Sequence, residues 1–333
     1  IKCHHNEITD YIIDNYLQHF ENFMNYFYKY YNFDFISNKV TMKNIQYFVK
    51  NSYYPIVKSL LKKKVFDLNT KIILNFYFFN PVFAFIPSQH FSFIKFAAVL
   101  NDKKMIKILL ASGKVDISDG EFKQCGKLEK FNIPSYIKEI KKETFYECSL
   151  LNKITFPPSL ESIGNHAFYK CFSLTQLSIP PSTNFIGDYS FYRCTSLEKI
   201  TVLSPEISIG NNSFEECSSL KLIENFSYVK QIGNYAFCRC SSLEELTRAF
   251  EAPNYNQPDI NNSSLNQKVL QSSNTSFGDY AFYDCHSLKY IPIQSSETSF
   301  GKSCFENCST LKIVTIPPFT TELSDKCFCN CSS

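Results

Sequence analysis

Apolar and polar positions in the second part of the chain recur with a fixed period of 23 residues. The phenylalanines that mark this period are Phe145, Phe168, Phe191, Phe214 and Phe237. Each is followed three residues later by a cysteine and six residues later by a leucine, as in Phe191, Cys194 and Leu197. Isoleucine and glycine precede most of them, as in Ile186-Gly187. A period of this length predicts a solenoid, in which each repeat forms one coil stacked on the next.

Within each repeat, a short run of alternating apolar residues predicts a β-strand. In the unit Leu174–Ile179, alternate side chains are apolar and are expected to point inward. The Pro180-Pro181 step that follows cannot donate hydrogen bonds to a ladder, so it is expected to end the strand. We expect Gly187 to supply a positive φ at the next bend and Phe191 to fill the space between the strand and the outer wall.

Residues 1–118 lack this period, and their apolar residues recur at three- and four-residue steps, which predicts an all-α region. The residues on one such helical face are Ile8, Tyr11, Ile12, Tyr16, Phe20, Phe23, Tyr26 and Phe27. Within residues 91–118, Asn101-Asp102 and Gly113 predict a helix–turn–helix unit, and the stretch Met105–Leu110 is similar to Ile56–Leu61. The region resembles the second half of degenerate ankyrin repeats, which implies a helical, ankyrin-like domain over residues 1–118.

The repeat array is predicted over residues 119–333, with one disturbance at residues 249–276. Cys240 and Cys285 are 45 residues apart, close to two periods. Asn262-Ser-Ser-Leu265 is similar to Cys240-Ser-Ser-Leu243. We therefore predict a degenerate coil that has lost its phenylalanine and cysteine and bulges out as a polar loop.

Length and charge narrow the class of protein. A chain of 333 residues is expected to hold two domains, or one domain and an array. A net charge of +3 is too small to imply nucleic acid or an anionic membrane as partner. Apolar runs are too short for a membrane-spanning helix. With no visible signal or anchor, the expected location is the cytoplasm, although Ile1 and Ser333 suggest a piece of a longer protein.

The 14 cysteines allow two interpretations. Nine of them occupy one position of the repeat: Cys125, Cys148, Cys171, Cys194, Cys217, Cys240, Cys285, Cys308 and Cys331. A small buried side chain needed once in every coil explains this spacing without any bond between sulfurs. Disulfides between neighbouring coils are the alternative, so the redox compartment stays open.

Candidate chemistry is sparse. Cys327-x-Cys329-x-Cys331, with Cys304 and Cys308, is the best metal-ligand candidate, but most of these residues occupy ordinary repeat positions, so structural filling is favoured. Cys3-His4-His5 is a weaker candidate at a chain end. His166 and His286 lie at variable repeat positions, which favours surface residues over catalytic bases. Because no phosphate-binding loop, zinc-protease motif or nucleophile elbow occurs, we predict neither enzymatic activity nor a metal or other cofactor.

The repeat motif itself is characteristic. Ile232-Gly233-Asn-Tyr-Ala236-Phe237-Cys-Arg-Cys240-Ser-Ser-Leu243 closely resembles the BspA-type leucine-rich repeat, and the resemblance covers residues 119–333. It implies a leucine-rich-repeat solenoid of short parallel strands. Members of that family occur as bacterial surface proteins that bind host matrix components and in large protist families. A cell-surface location is therefore also implied, beside the cytoplasmic expectation.

Two outward positions in each strand are expected on the concave side of the solenoid. These pairs are Lys153/Thr155, Gln176/Ser178, Lys199/Thr201, Leu222/Glu224, Glu245/Thr247, Tyr290/Pro292 and Ile313/Thr315. Their chemistry changes along the stack while the frame repeats, as a recognition surface requires. The alternative is drift on a solvated sheet. We predict binding of a protein partner through this face, or, alternatively, a structural or adhesive surface protein that uses the array as a display rod.

Overall fold

The computed structural model describes residues 72–73, 90–113, 115–226, 229–247, 275–291, 298–314, 316, 320 and 323–332. The chain divides into two compact units, Ile1–Asp116 and Ile117–Ser333. The predicted boundary was between residues 118 and 119. The first unit contains short strands and helices, and the second consists of parallel strands.

In the first unit, two strands, β1 (Ile72–Ile73) and β2 (His90–Phe91), pair in antiparallel fashion. They are followed by two helices, α1 (Phe93–Val99) and α2 (Lys103–Leu110). The side chains of Ser92 and Asp102 cap the two helices. Each accepts a hydrogen bond from the backbone N–H three residues later, that of Lys95 at 3.1 Å and that of Met105 at 2.9 Å. The apolar faces of the two helices supply the buried residues Phe93, Ile94, Ala97, Ala98, Met105, Ile106 and Leu109.

The helix–turn–helix predicted within residues 91–118 is therefore present, and Gly113 has a φ of +68° after it. The expectation that the whole region is α-helical is wrong, because β1 and β2 are strands. Two short helices do not establish an ankyrin repeat. The other helices predicted for residues 1–71 and 74–89 lie outside the described residues.

The second unit is a solenoid of parallel strands with two sheets. The continuous sheet has seven strands. They are β4 (Glu139–Ile140), β6 (Ser162–Ile163), β8 (Phe185–Ile186), β10 (Ile207–Ile209), β12 (Val229–Ile232), β14 (Thr275–Phe277) and β16 (Thr298–Phe300). Each strand pairs in parallel with the one from the next coil. The isoleucine or phenylalanine before each repeat glycine thus lies in a second strand, which was not predicted from the sequence.

The predicted strands form the other sheet, which we call the interrupted face. They are β3 (Lys130–Asn132), β5 (Lys153–Thr155), β7 (Gln176–Ile179), β9 (Lys199–Val202), β11 (Leu222–Glu224), β13 (Glu245–Leu246), β15 (Tyr290–Ile291) and β17 (Ile313–Val314). Their ladders join β3 to β5, β7 through β13, and β15 to β17, as three separate groups. Exposed and buried residues alternate, as in β7, which confirms the predicted inward positions.

The predicted phenylalanine column is confirmed. Successive rings stack with centroids 5.0–5.4 Å apart and interplanar angles of 18° or less. The column consists of Phe122, Phe145, Phe168, Phe191, Phe214, Phe237, Phe282, Phe305 and Phe328. This spacing is close to the distance between neighbouring strands, so ring stacking and strand pairing impose the same repeat along the axis.

The repeat cysteines form a second internal column. The cysteines that the structure describes are free thiols, and those at the repeat position are buried except Cys331, which is half-buried. From Cys148 onward, each thiol at the repeat position donates to the carbonyl oxygen of the phenylalanine one coil back, as Cys194 does to Phe168. The sulfur–oxygen distances are 3.0–3.4 Å. The prediction of buried thiols is confirmed for these residues. The donated hydrogen bond adds a reason for cysteine at this position, because alanine could not make it.

The predicted role of the repeat glycines is wrong. Positive φ values occur at residues other than these glycines, such as His166 at 57° and Lys170 at 56°. A Cβ on Gly233 would lie 2.6 Å from the backbone nitrogen of Asn211 and 2.6 Å from the carbonyl carbon of Gly210. Glycine is needed at this position because the backbone of the previous coil occupies the space of a side chain.

The two coils that flank residues 248–274 are immediate neighbours in the stack. The rings of Phe237 and Phe282 stack at 5.1 Å, and the Cys285 thiol donates to the Phe237 carbonyl. Strand β12 also pairs directly with β14. No described coil lies between these two, and the degenerate coil predicted for residues 249–276 stays a prediction. Residues 248–274 themselves lie outside the described residues.

The close approach at glycine can be tested with a matched pair of variants. Gly233→Ala should destabilise the solenoid by about 1–3 kcal/mol, since its Cβ would force two backbones apart. In Gly126→Ala the nearest atom is the Ser149 hydroxyl, 3.7 Å away, so that variant should change stability by less than about 0.5 kcal/mol. Urea denaturation measures both. Equal effects of the two substitutions would contradict the account.

Because of the buried thiols, we expect the free energy of unfolding to fall at alkaline pH. Burial raises the pKa of Cys171, Cys194 and Cys217, so these groups bind protons more tightly when folded. Their contribution is complete below the pKa of an unfolded thiol and declines as the pH rises above it. The loss is about 1.4 kcal/mol per thiol for each pH unit above roughly 8.5–9. Unfolding of Cys194→Ala should therefore show a shallower decline of stability between pH 9 and 10.5 than wild type, and parallel profiles would refute the linkage.

Candidate binding face

The outward residues predicted for recognition lie on the interrupted face, and the described ones are exposed or half-exposed. Parallel pairing places equivalent positions of successive coils side by side. Lys130 is opposite Lys153, Gln176 is opposite Lys199, and Leu222 stands between Lys199 and Glu245. A second column beside it carries Asn132, Thr155, Ser178, Thr201 and Glu224. Chemistry therefore varies along the stack at fixed spacing.

The middle of this face is internally neutralised. Lys199 Nζ lies 2.7 Å from Glu224 Oε1, and the Thr201 hydroxyl donates to Glu224 Oε2 at 2.7 Å. The hydrogen bond from Lys199 is the main reason why the pKa of Glu224 is below its usual value, with the Thr201 bond and the lysine charge adding to it. Both side chains are about one-third exposed, so the pair contributes little to stability.

The first two coils of the face are different. Lys130 and Lys153 are exposed, stand directly opposite each other, and make no ion pair within the described residues. Like charges directly opposite on a sheet destabilise it. In many other places, cations and carboxylates of neighbouring coils are matched, namely Lys123–Glu143, Lys138–Glu161, Lys170–Glu147, Arg193–Glu216, Lys230–Glu206 and Lys289–Glu244. The interrupted face therefore has an unbalanced positive end.

The ladder is broken beside this positive end, between β5 and β7. At the junction of β7 and β9, the Leu203 N–H donates to the Ile179 carbonyl at 2.9 Å. The residue that precedes Leu203 by one period is Pro180, which has no N–H to donate to the Phe156 carbonyl. The Asn152 carbonyl accepts a hydrogen bond from the Thr175 hydroxyl at 3.4 Å. At other junctions a backbone N–H donates to the equivalent carbonyl, as that of Glu198 does to Thr175. Pro157 occupies the same position one coil earlier, where β3 still pairs with β5, so the proline alone does not separate the strands. What distinguishes the break is the missing backbone bond to the Asn152 carbonyl.

A groove of about 880 Å³ lies over this break. Its floor carries outward residues of β5, β7 and β9, including six predicted binding residues: Lys153, Thr155, Gln176, Ser178, Lys199 and Thr201. One wall is apolar and consists of Phe156, Pro158, Pro180, Pro181 and Leu203. The arrangement offers ammonium groups, hydroxyl groups and an apolar surface within one depression, which suits an elongated ligand of mixed chemistry.

The other predicted residues are not brought to this groove. Leu222, Glu224, Glu245 and Thr247 lie on or next to the following strands of the same ladder. Tyr290 and Ile313 belong to the separate pair β15 and β17, and Pro292 and Thr315 lie outside the described residues. The sequence analysis missed Lys130 and the groove wall. The 23-residue step back from Lys153 would have identified Lys130.

The metal and catalytic candidates that lie among the described residues do not come together in a centre. Among the described residues, no cluster of three histidine, cysteine or acidic side chains is placed to hold a metal ion. Cys304 and Cys327 are buried in the stack, and the Cys331 thiol donates to the Phe305 carbonyl. His166 stacks on Tyr189 at 5.1 Å, and Cys3-His4-His5 lies outside the described residues. No helix in the described part of the chain has the length and hydropathy to cross a bilayer.

Comparison with known proteins places this geometry in a family. The model of the "BspA type Leucine rich repeat region" matches residues 115–244 and 207–333, with six copies. A solved leucine-rich repeat protein from Bacteroides ovatus is 29% identical, with a TM-score of 0.50, over 64% of this chain and 49% of its own. The chain thus spans about half the length of that protein. No curated protein matches the chain.

Two further solved structures are similar at lower TM-scores. The leucine-rich repeat protein of T. pallidum is 25% identical over 55% of this chain and 78% of its own, with a TM-score of 0.44. A leucine-rich cell surface protein from Faecalibacterium prausnitzii is 21% identical over 64% of this chain and 60% of its own, with a TM-score of 0.33. The solenoid of parallel strands, with about seven turns, agrees with the solved leucine-rich repeat protein from Bacteroides ovatus.

The open carbonyl of Phe156 can be tested by giving position 180 an N–H. In Pro180→Ala the new amide should donate to the Phe156 carbonyl, as Leu203 donates to Ile179. Its hydrogen exchange should then be at least about tenfold slower than that of an open amide. Pro181→Ala adds an amide at the exposed neighbouring position and is the control. Equally fast exchange of the two new amides would show that the Phe156 carbonyl is not placed to accept this hydrogen bond.

Proposed function

The chain belongs to the BspA-type leucine-rich repeat family, and from this premise we propose that it is a non-enzymatic recognition protein that binds another protein through its interrupted face. The family and its solenoid fold are typically non-enzymatic, and leucine-rich repeats generally mediate protein interactions. The finer statement, that the interrupted face is the binding surface, rests on the residues displayed there.

The observation that carries the proposal is the adjacent pair Lys130 and Lys153. Two exposed like charges in register cost stability, whereas many other inter-coil positions of this unit hold matched ions. A side-chain pair that does not serve the fold is best explained by a partner that supplies the missing counter-charge. Electrostatic complementarity of this kind gives specificity and speeds association.

The scaffold favours the same use. Buried residues of each strand are fixed by the phenylalanine, thiol and aliphatic columns, whereas the outward residues touch only their neighbours on the sheet. Outward substitutions can therefore change what the face binds without disturbing the stack. Such a surface is largely preformed, so binding orders few side chains and loses little conformational entropy.

The proposal is tested by reversing charge on the face. The double substitution Lys153→Glu and Lys199→Glu should abolish retention of the proteins that immobilised wild type captures from a lysate of its source cells. Both positions are exposed or half-exposed, so the free energy of unfolding should change by less than about 1 kcal/mol. Lys302→Glu reverses an exposed charge outside the groove and should retain the same proteins as wild type.

Identical captured sets for all three proteins would overturn a binding role for this face and would favour use of the array as a display rod. Loss of the same proteins in Lys302→Glu would also count against it, because the effect would then follow from overall charge.

A further inference from the structure

We propose that the groove over the β5–β7 break binds an extended acidic peptide segment that also carries apolar side chains. The inference rests on the proposed function and deepens it by naming the chemistry of the partner. Three features of the groove carry it: its unbalanced charge, its open backbone edge and its apolar wall.

The charge sets the sign of the ligand. Lys130 and Lys153 have no carboxylate partner within the described residues, and Lys199 extends the row although Glu224 already neutralises it. All three lysines line the same groove, and no acidic residue lines it. Two carboxylates of a ligand, placed on neighbouring coils, would offset the repulsion between Lys130 and Lys153 and form charge-assisted hydrogen bonds.

The break supplies main-chain recognition. The Phe156 carbonyl has no hydrogen-bond partner among the described residues, because Pro180 replaces the donor that Leu203 provides one coil later. An extended peptide offers backbone N–H groups along its length and can donate to such a carbonyl. The outward hydroxyls of Thr155 and Ser178 and the amide of Gln176 stand beside it and can bond the ligand's polar groups.

Strand insertion into the break is excluded by the core. Phe145 and Phe168, which belong to the two separated coils, still stack at 5.1 Å, and β6 still pairs with β8. An inserted strand would need roughly twice the normal separation of about 4.8 Å between neighbours. The ligand therefore lies across the face, over the break, and not between the coils.

The wall requires apolar side chains on the ligand. Pro158 and Pro181 are exposed, and Leu203 is 45% exposed beside them. These residues form a rigid ridge next to the lysine row, so a leucine or similar side chain following an acidic residue would cover it. A purely polyanionic ligand, such as single-stranded nucleic acid, would leave this ridge in water. Among the described residues, Phe156 is the one aromatic residue that lines the groove, and its half-buried ring packs edge-on against Phe168, so successive bases would have no row of rings on which to stack.

The test uses the full chain and fluorescein-labelled twelve-residue peptides, with binding measured by fluorescence anisotropy. The probe repeats Glu-Leu-Glu-Thr. One matched peptide replaces each Glu by Gln, and another replaces each Leu by Ser. Wild type should bind the probe about tenfold more tightly than either matched peptide, and more tightly than a twelve-residue oligothymidine.

Variants locate the site. Lys130→Glu and Lys153→Glu should each weaken probe binding by about tenfold, whereas Lys302→Glu should change it by less than about twofold. Equal weakening by Lys302→Glu, equal binding of the Leu-to-Ser peptide, or tighter binding of the oligothymidine would overturn the acidic-apolar peptide as ligand.

The two proposals fail separately. If the probe does not bind but Lys153→Glu with Lys199→Glu still loses the captured cellular proteins, the recognition face survives and the acidic-peptide assignment is wrong. If the probe does not bind and the captured proteins are also unchanged, both proposals are wrong.

Discussion

The structure of the second unit depends on how closely successive coils approach each other. Ring stacking in the phenylalanine column, thiol–carbonyl hydrogen bonds and parallel strand pairing all set a repeat near 5 Å. Such a repeat brings backbone against backbone at one corner of every coil, where Gly233 has no room for a Cβ. The array tolerates variation on its outward positions because these internal constraints already determine the path of the chain.

The periodic part of the fold could be predicted from the sequence because its cause is periodic. A ring, a thiol and a leucine at fixed spacing have one simple explanation, which is continuous columns inside a stack. The strands that contain Ile186 and Ile209 were missed, because two or three residues per coil give no alternation to recognise. The glycine was assigned to bend geometry, since a contact with the previous coil leaves no trace in the local sequence.

The candidate site was only partly visible. Alternation placed Lys153, Gln176 and Lys199 on one face correctly, but nothing local indicates that the ladder stops between β5 and β7. That break becomes visible only in the hydrogen bonds, because the Asn152 carbonyl accepts from the Thr175 hydroxyl where other junctions have a backbone N–H donor. The interval between Cys240 and Cys285 shows the same limit, because 45 residues of sequence do not reveal that the Cys285 thiol bonds to the Phe237 carbonyl.

The two sheets of the solenoid also differ in mechanical character. The continuous sheet has an uninterrupted ladder from β4 to β16, whereas the interrupted face lacks ladder pairing among the described residues at two junctions, β5–β7 and β13–β15. We therefore expect this unit to bend more easily on the side of the interrupted face, at the two junctions without ladder pairing, than on the side of the continuous sheet. At the groove, the two coils are held together by the continuous sheet and the aromatic column, since β6 pairs with β8 and Phe145 stacks on Phe168.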